Sequence, residues 1–208
     1  MRKRLFVFMT ALVMMLTAAA AQKGNDASVI QRINSVASQI KTMQCSFVQT
    51  KYMKMLNDKM VSYGRMYYQQ GNKLRWEYTS PYAYTFILNN NQVLLKKGNR
   101  SDRINVSQSK FFKEIVRIMM NSVVGKCLSD KKDFRVSIAS TSTEWIATML
   151  PQRREMRQMF KKIIVHFSRQ KSMVTTVELI EKNGDRTIIQ LKNIRTNAPI
   201  NAKVFSLN

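Results

Sequence analysis

The chain is short of the residues from which reactive centres and unusual architectures are made. Its 208 residues include two cysteines, one histidine, three prolines and six glycines. Two cysteines cannot build a disulfide scaffold, and so little proline and glycine excludes collagenous or linker-like chains. One histidine leaves no material for a His-rich metal centre. Acidic residues are also scarce, 12 Asp and Glu against 35 Lys and Arg, for a formal charge of +23. They are scattered, so a paired-carboxylate site has no support. No G-x-S-x-G, phosphate-loop, C-x-x-C, H-E-x-x-H or calcium-loop motif occurs. His166 lies in the alternating run Lys161–Phe167 with no evident nucleophile, and reads as a solvated or core-edge side chain. The sequence therefore predicts a non-enzymatic protein without catalytic residues, metal or cofactor.

What is present is enough to fold. Hydrophobic residues make up 45% and charged residues 23%, ordinary proportions for a globular protein and too apolar for a disordered polyelectrolyte. The first 21 residues stand apart. Arg2, Lys3 and Arg4 precede a 12-residue apolar run, Leu5–Leu16, and small residues lead to Ala19-Ala20-Ala21. That run is too short to span a bilayer, which needs ~20 residues, and its flanks are those of a cleavable export signal. The expected product is residues 22–208, one soluble exported domain. In an oxidising compartment Cys45 and Cys127 would close a loop of about 80 residues, worth ~4 kcal/mol. The alternative is two buried free thiols, favoured here because neither flank holds a turn built for crosslinking.

After the signal, Val29, Ile30, Ile33, Val36, Ala37 and Ile40 recur at helical spacing, predicting a helix over Ser28–Met43. The period then changes to two. Alternation through Phe47, Met66–Tyr68, Leu74, Trp76, Tyr78, Phe86, Leu88 and Val93–Leu95 predicts four or five antiparallel strands over residues 47–97. Asn89-Asn90-Asn91 supplies one hairpin turn and Asn183-Gly184 another. A second helix is expected over Gln108–Val124, with the stripe Phe111, Phe112, Ile115, Ile118 and Met119. Strands resume at Phe134–Ile138, Glu144–Leu150, Phe160–Ser168, Val174–Glu181, Thr187–Ile194 and Lys203–Leu207. The class is mainly β: about ten strands in a long antiparallel sheet, with helices packed on one side.

The basic excess clusters at Lys131-Lys132, Arg153-Arg154, Arg157 and Lys161-Lys162. An exported protein meets anionic lipid and lipopolysaccharide rather than nucleic acid, so nucleic acid is not the expected partner. The functional reading of the charge is transient attraction to an anionic membrane surface, at ~1 kcal/mol per Lys or Arg. The simpler one is a solvated surface that raises solubility.

An ordered series of motifs then narrows the reading. Phe47-Val48-Gln49 is followed by Gly64-Arg65-Met66-Tyr67-Tyr68, by Lys73-Leu74-Arg75-Trp76-Glu77-Tyr78-Thr79-Ser80-Pro81, and by Asn183-Gly184-Asp185, Asn193, Asn197 and Phe205-Ser206-Leu207. Nearly the whole of residues 22–208 resembles the periplasmic outer-membrane lipoprotein carrier (LolA-like) family. The resemblance implies an unclosed antiparallel β-barrel with helices over its concave face, whose cavity holds the acyl chains of lipoproteins. It implies delivery of cargo by an inner-membrane ABC-type release complex, collection by an outer-membrane acceptor, and a monomeric, ATP-independent chaperone. On this reading Phe47, Tyr67, Leu74, Trp76, Tyr78, Phe86 and Leu88 line the cavity, and Phe111, Phe112, Ile115, Ile118 and Met119 form the lid. Where the family carries an arginine and proline that tie sheet to lid, this chain has Gln70 and Gly71. Arg75, with Arg65 and Lys73, is left as the candidate latch. Eleven of the 15 methionines lie beyond residue 21, and flexible thioethers suit varied apolar ligands. The variants to separate from a lipoprotein carrier are a carrier of another lipid or lipid-linked molecule, and a lipid- or lipoprotein-sensing module.

Overall fold

Residues of period two, bounded by Asn- and Gly-containing turns, fold into a continuous antiparallel meander. The computed structural model describes residues 26–108, 116–117, 120–121, 126–129 and 131–207. The expected export signal and the lid residues Phe111, Phe112, Ile115, Ile118 and Met119 lie outside the described residues. The strands are β1 (Thr42–Met53), β2 (Asp58–Gln69), β3 (Lys73–Ser80), β4 (Tyr84–Asn89), β5 (Gln92–Lys97), β6 (Arg100–Asn105), β7 (Phe134–Ser140), β8 (Glu144–Pro151), β9 (Phe160–Ser168), β10 (Met173–Glu181) and β11 (Arg186–Thr196). They form one eleven-stranded sheet in the order β6-β5-β4-β3-β2-β1-β11-β10-β9-β8-β7. Every pair is antiparallel, and β6 and β7 are edges, so the sheet does not close into a barrel.

The meanders β1–β6 and β7–β11 are joined by the pairing of β1 with β11, which sets Phe47 opposite Leu191. One face of the sheet is apolar throughout, with two buried clusters. One, on the β7–β10 side, contains Phe134, Trp145, Met149, Val165 and Phe167; the other, on the β1–β5 side, contains Met43, Phe47, Met66, Leu74 and Leu88. The N-terminal helix, residues 26–39, covers both. Its Val29 and Ile33 enter the first cluster, and Ala37 with the following Ile40 the second. Fully burying Val29, Ile33 and Ile40 contributes roughly 1.5–3 kcal/mol each, so the apolar stripe, more than helix propensity, holds the helix there.

Asn197 explains how the helix stops. Its backbone takes the left-handed conformation (φ 58°), its side-chain amide donates to the Gln39 carbonyl at 3.1 Å, and its Oδ1 accepts the Lys41 N–H at 2.8 Å. The end of β11 thereby ties off the junction between helix and β1.

Several expectations need correction. The helix ends at Gln39, not Met43: Met43, Cys45 and Phe47 already alternate inward on β1. The eleven strands agree with the expected number of about ten, but β6, Arg-Ser-Asp-Arg-Ile-Asn, is not among those expected: it is a largely exposed edge whose polar sequence shows no alternation. The segment Lys203–Leu207 is not a strand; Ala202–Phe205 forms a 3-10 turn whose N-cap, Asn201, accepts the Lys203 N–H at 2.9 Å. A short helix, Arg154–Met159, interrupts the β8–β9 connection where no helix was expected, burying only Met156. In the second expected helix, residues 116–117 and 120–121 are helical, whereas Gln108 ends a separate 3-10 turn, Val106–Gln108.

Candidate functional site

Register places the apolar side chains of β1–β6 in cross-strand rows on the helix-covered face. The row farthest from the β1–β2 turn runs Met43, Tyr68, Leu74, Leu88, Val93, Ile104. All but Ile104 are buried. The next runs Cys45, Met66, Trp76, Phe86, Leu95, and the third Phe47, Gly64, Tyr78, Tyr84. Burial weakens along this direction: Trp76, Phe86 and Leu95 are half-buried, as are Tyr78 and Tyr84. The result is an aromatic surface rising from a sealed apolar floor.

Phe47 organises that surface. Its ring stacks on Trp76 with centroids 4.4 Å apart and planes at 28°, and meets Tyr78 edge-on at 5.2 Å. Such pairs contribute about 0.5–1.5 kcal/mol beyond the area they bury. The ring reaches both partners by lying across Gly64 on the intervening strand. A Cβ at Gly64 would overlap the Phe47 ring and the Glu77 carbonyl oxygen. The glycine is thus required by close approach. Gln49, two residues beyond Phe47, accepts a 2.8 Å hydrogen bond from the Tyr78 hydroxyl. Burial pushes the Tyr78 pKa above its ordinary value, so the hydroxyl stays protonated as the donor.

Six of the seven expected cavity residues are brought together: Phe47, Leu74, Trp76, Tyr78, Phe86 and Leu88 all belong to, or pack on, the same cluster. Tyr67 is not among them. It pairs with Gln44 and Arg75, on the opposite face; its neighbours Met66 and Tyr68 point inward. Adjacent residues of a strand face opposite ways, and only the register tells which of two tyrosines goes in.

The latch expectation also changes. Gln70 is exposed in the β2–β3 turn. Arg75 binds Glu77 at 2.9 Å and the Val204 carbonyl at 3.4 Å, on the outer face, so among the described residues it ties the sheet to the C-terminal segment. Asn89 donates to the Phe205 carbonyl at 3.1 Å, and Arg103 to that of Leu207 at 2.8 Å. Ile87, Leu94 and Phe205, all buried and outside both helix-side clusters, make this a second apolar seam.

Sequence reasoning missed an ionic anchor near the expected lid. Asp133 is buried and its carboxylate pairs with Arg117 and with Arg153, the latter at 2.5 Å. Arg117 belongs to the helical residues 116–117, so one carboxylate joins that turn to the β8–β9 connection. Asp133, in the run Asp130-Lys131-Lys132-Asp133, offers no periodic signal for this. His166 sits on the outer face between Glu144 (3.1 Å) and Glu178 (3.2 Å), and Glu178 also binds Arg186 at 2.7 Å. Cys45 is a free, buried thiol whose pKa burial pushes up to about 12, which makes it an inert apolar residue. No group of His, Cys, Asp and Glu among the described residues is arranged to hold a metal ion.

A groove of about 560 Å³ opens between the N-terminal helix and Leu128, Ser129 and Lys131, lined by Ala27, Ile30 and Leu128 with Asn34 and Lys131 at its edge. Its size lies in the ~300–1,000 Å³ range of small-molecule sites. It lies on the β7–β10 side of the helix, away from the Trp76 surface.

Residues 38–208 match the family model described as outer membrane lipoprotein carrier protein LolA. No curated protein matches the sequence. Among solved structures, a Thermus thermophilus protein described as uncharacterized and conserved is similar at TM-score 0.53 and 9% identity, over 86% of this chain and 91% of that one. A Desulfovibrio piger DUF1329 family protein is similar at TM-score 0.50 and 10% identity, over 89% and 97%. A Pseudomonas aeruginosa MucA/MucB complex is similar at TM-score 0.52 and 12% identity, over 88% of this chain and 60% of that one. At these identities the likeness is one of fold.

Proposed function

This chain belongs to the outer membrane lipoprotein carrier protein family, and from that premise we propose that it carries acylated lipoproteins across an aqueous compartment, sheltering their hydrocarbon against the helix-covered face. The observation that carries this reading is the half-buried aromatic surface of Trp76, Tyr78 and Phe86 above the buried Phe47, Leu74 and Leu88. Side chains of this kind in an ordinary core are sealed; here they stand partly open above a buried floor, where an alkyl chain gains contact without reorganising it.

The energetics constrain how the cargo is handed over. Burying an acyl chain of ~16 carbons at ~0.8 kcal/mol per CH₂ yields ~13 kcal/mol relative to water. Cargo held that firmly does not leave into water. It transfers between apolar sites, chain by chain, from an inner-membrane ABC-type release complex and to an outer-membrane acceptor. Residues 1–21 read as an export signal, which supports a periplasmic route, with residues 22–208 acting as one monomeric carrier domain. Segment 108–124, with Phe111, Phe112, Ile115, Ile118 and Met119, serves as the lid, anchored at its base by Arg117 on Asp133.

Native mass spectrometry of gently purified protein tests the cargo. Co-purifying triacylated protein is the expected result; phospholipid or another hydrophobe would assign a different load, and an empty protein would favour a sensing module. Trp76→Asp is expected to abolish loading while the sheet stays folded by circular dichroism. Unchanged loading by this variant would remove the Trp76 surface from the site.

A further inference from the structure

The exposed large apolar side chains among the described residues all lie toward one end of the sheet. Met55 (91% exposed) and Leu56 (70%) form the tip of the β1–β2 turn, Tyr82 (74%) the β3–β4 turn, and Met159 the end of the short helix before β9. Tyr52, Met60 and Tyr63 stand on the strands leading to that tip. The pairs Tyr52 with Arg186, Tyr63 with Ser80, and Glu181 with Phe160 put these turns at one end. Turns at the other end carry Gly71-Asn72, Asn90-Asn91, Thr141-Ser142-Thr143 and Gln170-Lys171, with no large apolar residue.

The tip is held firmly. Asn57, in the left-handed conformation (φ 48°), closes the 3-10 turn Lys54–Leu56. Asp185 Oδ1 accepts the Lys54 N–H at 3.0 Å, and Lys51 Nζ lies 3.3 Å from Glu181 and 3.6 Å from Asp185. Glu181 and Asp185 are therefore occupied within the fold, and the exposed Asp58 carboxylate accepts the Lys59 N–H at 2.7 Å. Lys54 and Lys59 flank the apolar pair, and Arg157 and Lys182 border Met159.

We propose that this end of the sheet, led by Met55 and Leu56 and flanked by Lys54 and Lys59, is a docking surface for an anionic lipid bilayer. Charge complementarity selects the partner. Beyond residue 21 the chain carries a net charge of +20, which meets anionic headgroups favourably, and the exposed Met55 and Leu56 side chains are free to enter the acyl boundary. The apolar knuckles lie on separate turns instead of lining one groove. A bilayer accepts such separate insertions, whereas a folded acidic protein would need a continuous complementary surface. The inference rests on the carrier reading only for the reason a membrane is met.

The test uses the exported protein from its host and sedimentation with vesicles of phosphatidylcholine alone, or mixed with phosphatidylglycerol. Binding is expected to the mixed vesicles only and to fall with added salt. The double variant Met55→Ser/Leu56→Ser is expected to lose about tenfold or more in partition, since both tips would forfeit their apolar burial. Met55→Trp, with unchanged thermal stability, is expected to show a blue-shifted emission on mixed vesicles. Equal partition of wild type and double variant overturns the proposal, as does unshifted emission at Met55→Trp. Binding to soluble polyglutamate with bare vesicles would assign this end to an acidic polypeptide and overturn it as well. The assay uses no cargo, so its failure and failure of the Trp76→Asp loading test are separate results.

Discussion

The Tyr78 hydroxyl donates a 2.8 Å hydrogen bond to Gln49 Oε1, reaching from β3 across β2 to β1. Two strands apart, the chains lie roughly 9.5 Å from each other. Side chains meet across that gap only because β2 offers Gly64 and the small, buried Ser62 beneath them. The same gap brings the Phe47 ring to Tyr78.

Removing one partner of this bond leaves the other polar group half-buried without it. Tyr78→Phe and Gln49→Leu are each expected to destabilise the protein modestly. The double-mutant cycle is expected to show a coupling of about 1 kcal/mol. Urea unfolding of the four proteins measures it, and additive effects would show that the bond contributes nothing.

Gly64→Ala sets a methyl against the Phe47 ring and the Glu77 carbonyl oxygen. Overpacking of this kind costs about 1–3 kcal/mol, so the thermal midpoint is expected to drop by several degrees. Truncating Phe47 in the same chain does not restore it, because the carbonyl still intrudes. A midpoint equal to wild type would place both the ring and the carbonyl oxygen elsewhere.

The outer seam is expected to contribute to stability independently of the cargo face. Phe205 is 1% exposed, and Phe205→Ala is expected to cost about 3–5 kcal/mol by chemical denaturation. Arg75→Ala, which removes a longer bond to Val204 and a partly exposed pair with Glu77, is expected to cost about 1 kcal/mol or less. A larger loss at Arg75 than at Phe205 would contradict this ranking.

Asp185 gives the fold an acid-side dependence. The Lys54 N–H holds its carboxylate pKa below the ordinary value, with Asn183 and Lys51 helping and partial burial opposing. A depressed folded-state pKa stabilises above the unfolded-state value, and that stability is lost as pH falls through the folded-state value. Unfolding measured from pH 7 down to below pH 4 should therefore show wild type losing more stability than Asp185→Asn over that acid range. Parallel curves would mean the carboxylate is not held in the native state.

The structure shows how much of this was readable in advance. Strand β9, Phe160–Ser168, matches its expected span because each inward residue is apolar and each outward one polar or branched. The series Phe47, Leu74, Trp76, Tyr78, Phe86 and Leu88 was legible for the same reason. Edge strand β6 was not, since a strand with exposed faces on both sides need not alternate. The C-terminal turn at Ala202–Phe205 imitates a strand because Val204 and Phe205 are β-formers, yet what holds it is the burial of Phe205 and the Asn89 hydrogen bond to its carbonyl.

Local periodicity thus determined, from the sequence by itself, that this chain makes a long antiparallel sheet with one apolar face and a helix to cover it. A period of two is a property of neighbouring residues and needs no knowledge of distant ones. Tertiary structure alone decided that Tyr68 and not Tyr67 faces in, that Phe47 lies over Gly64, and that Arg75 holds the C-terminal segment. Each depends on the register between strands, which is set by pairing across tens to more than a hundred residues and leaves no mark on any single segment.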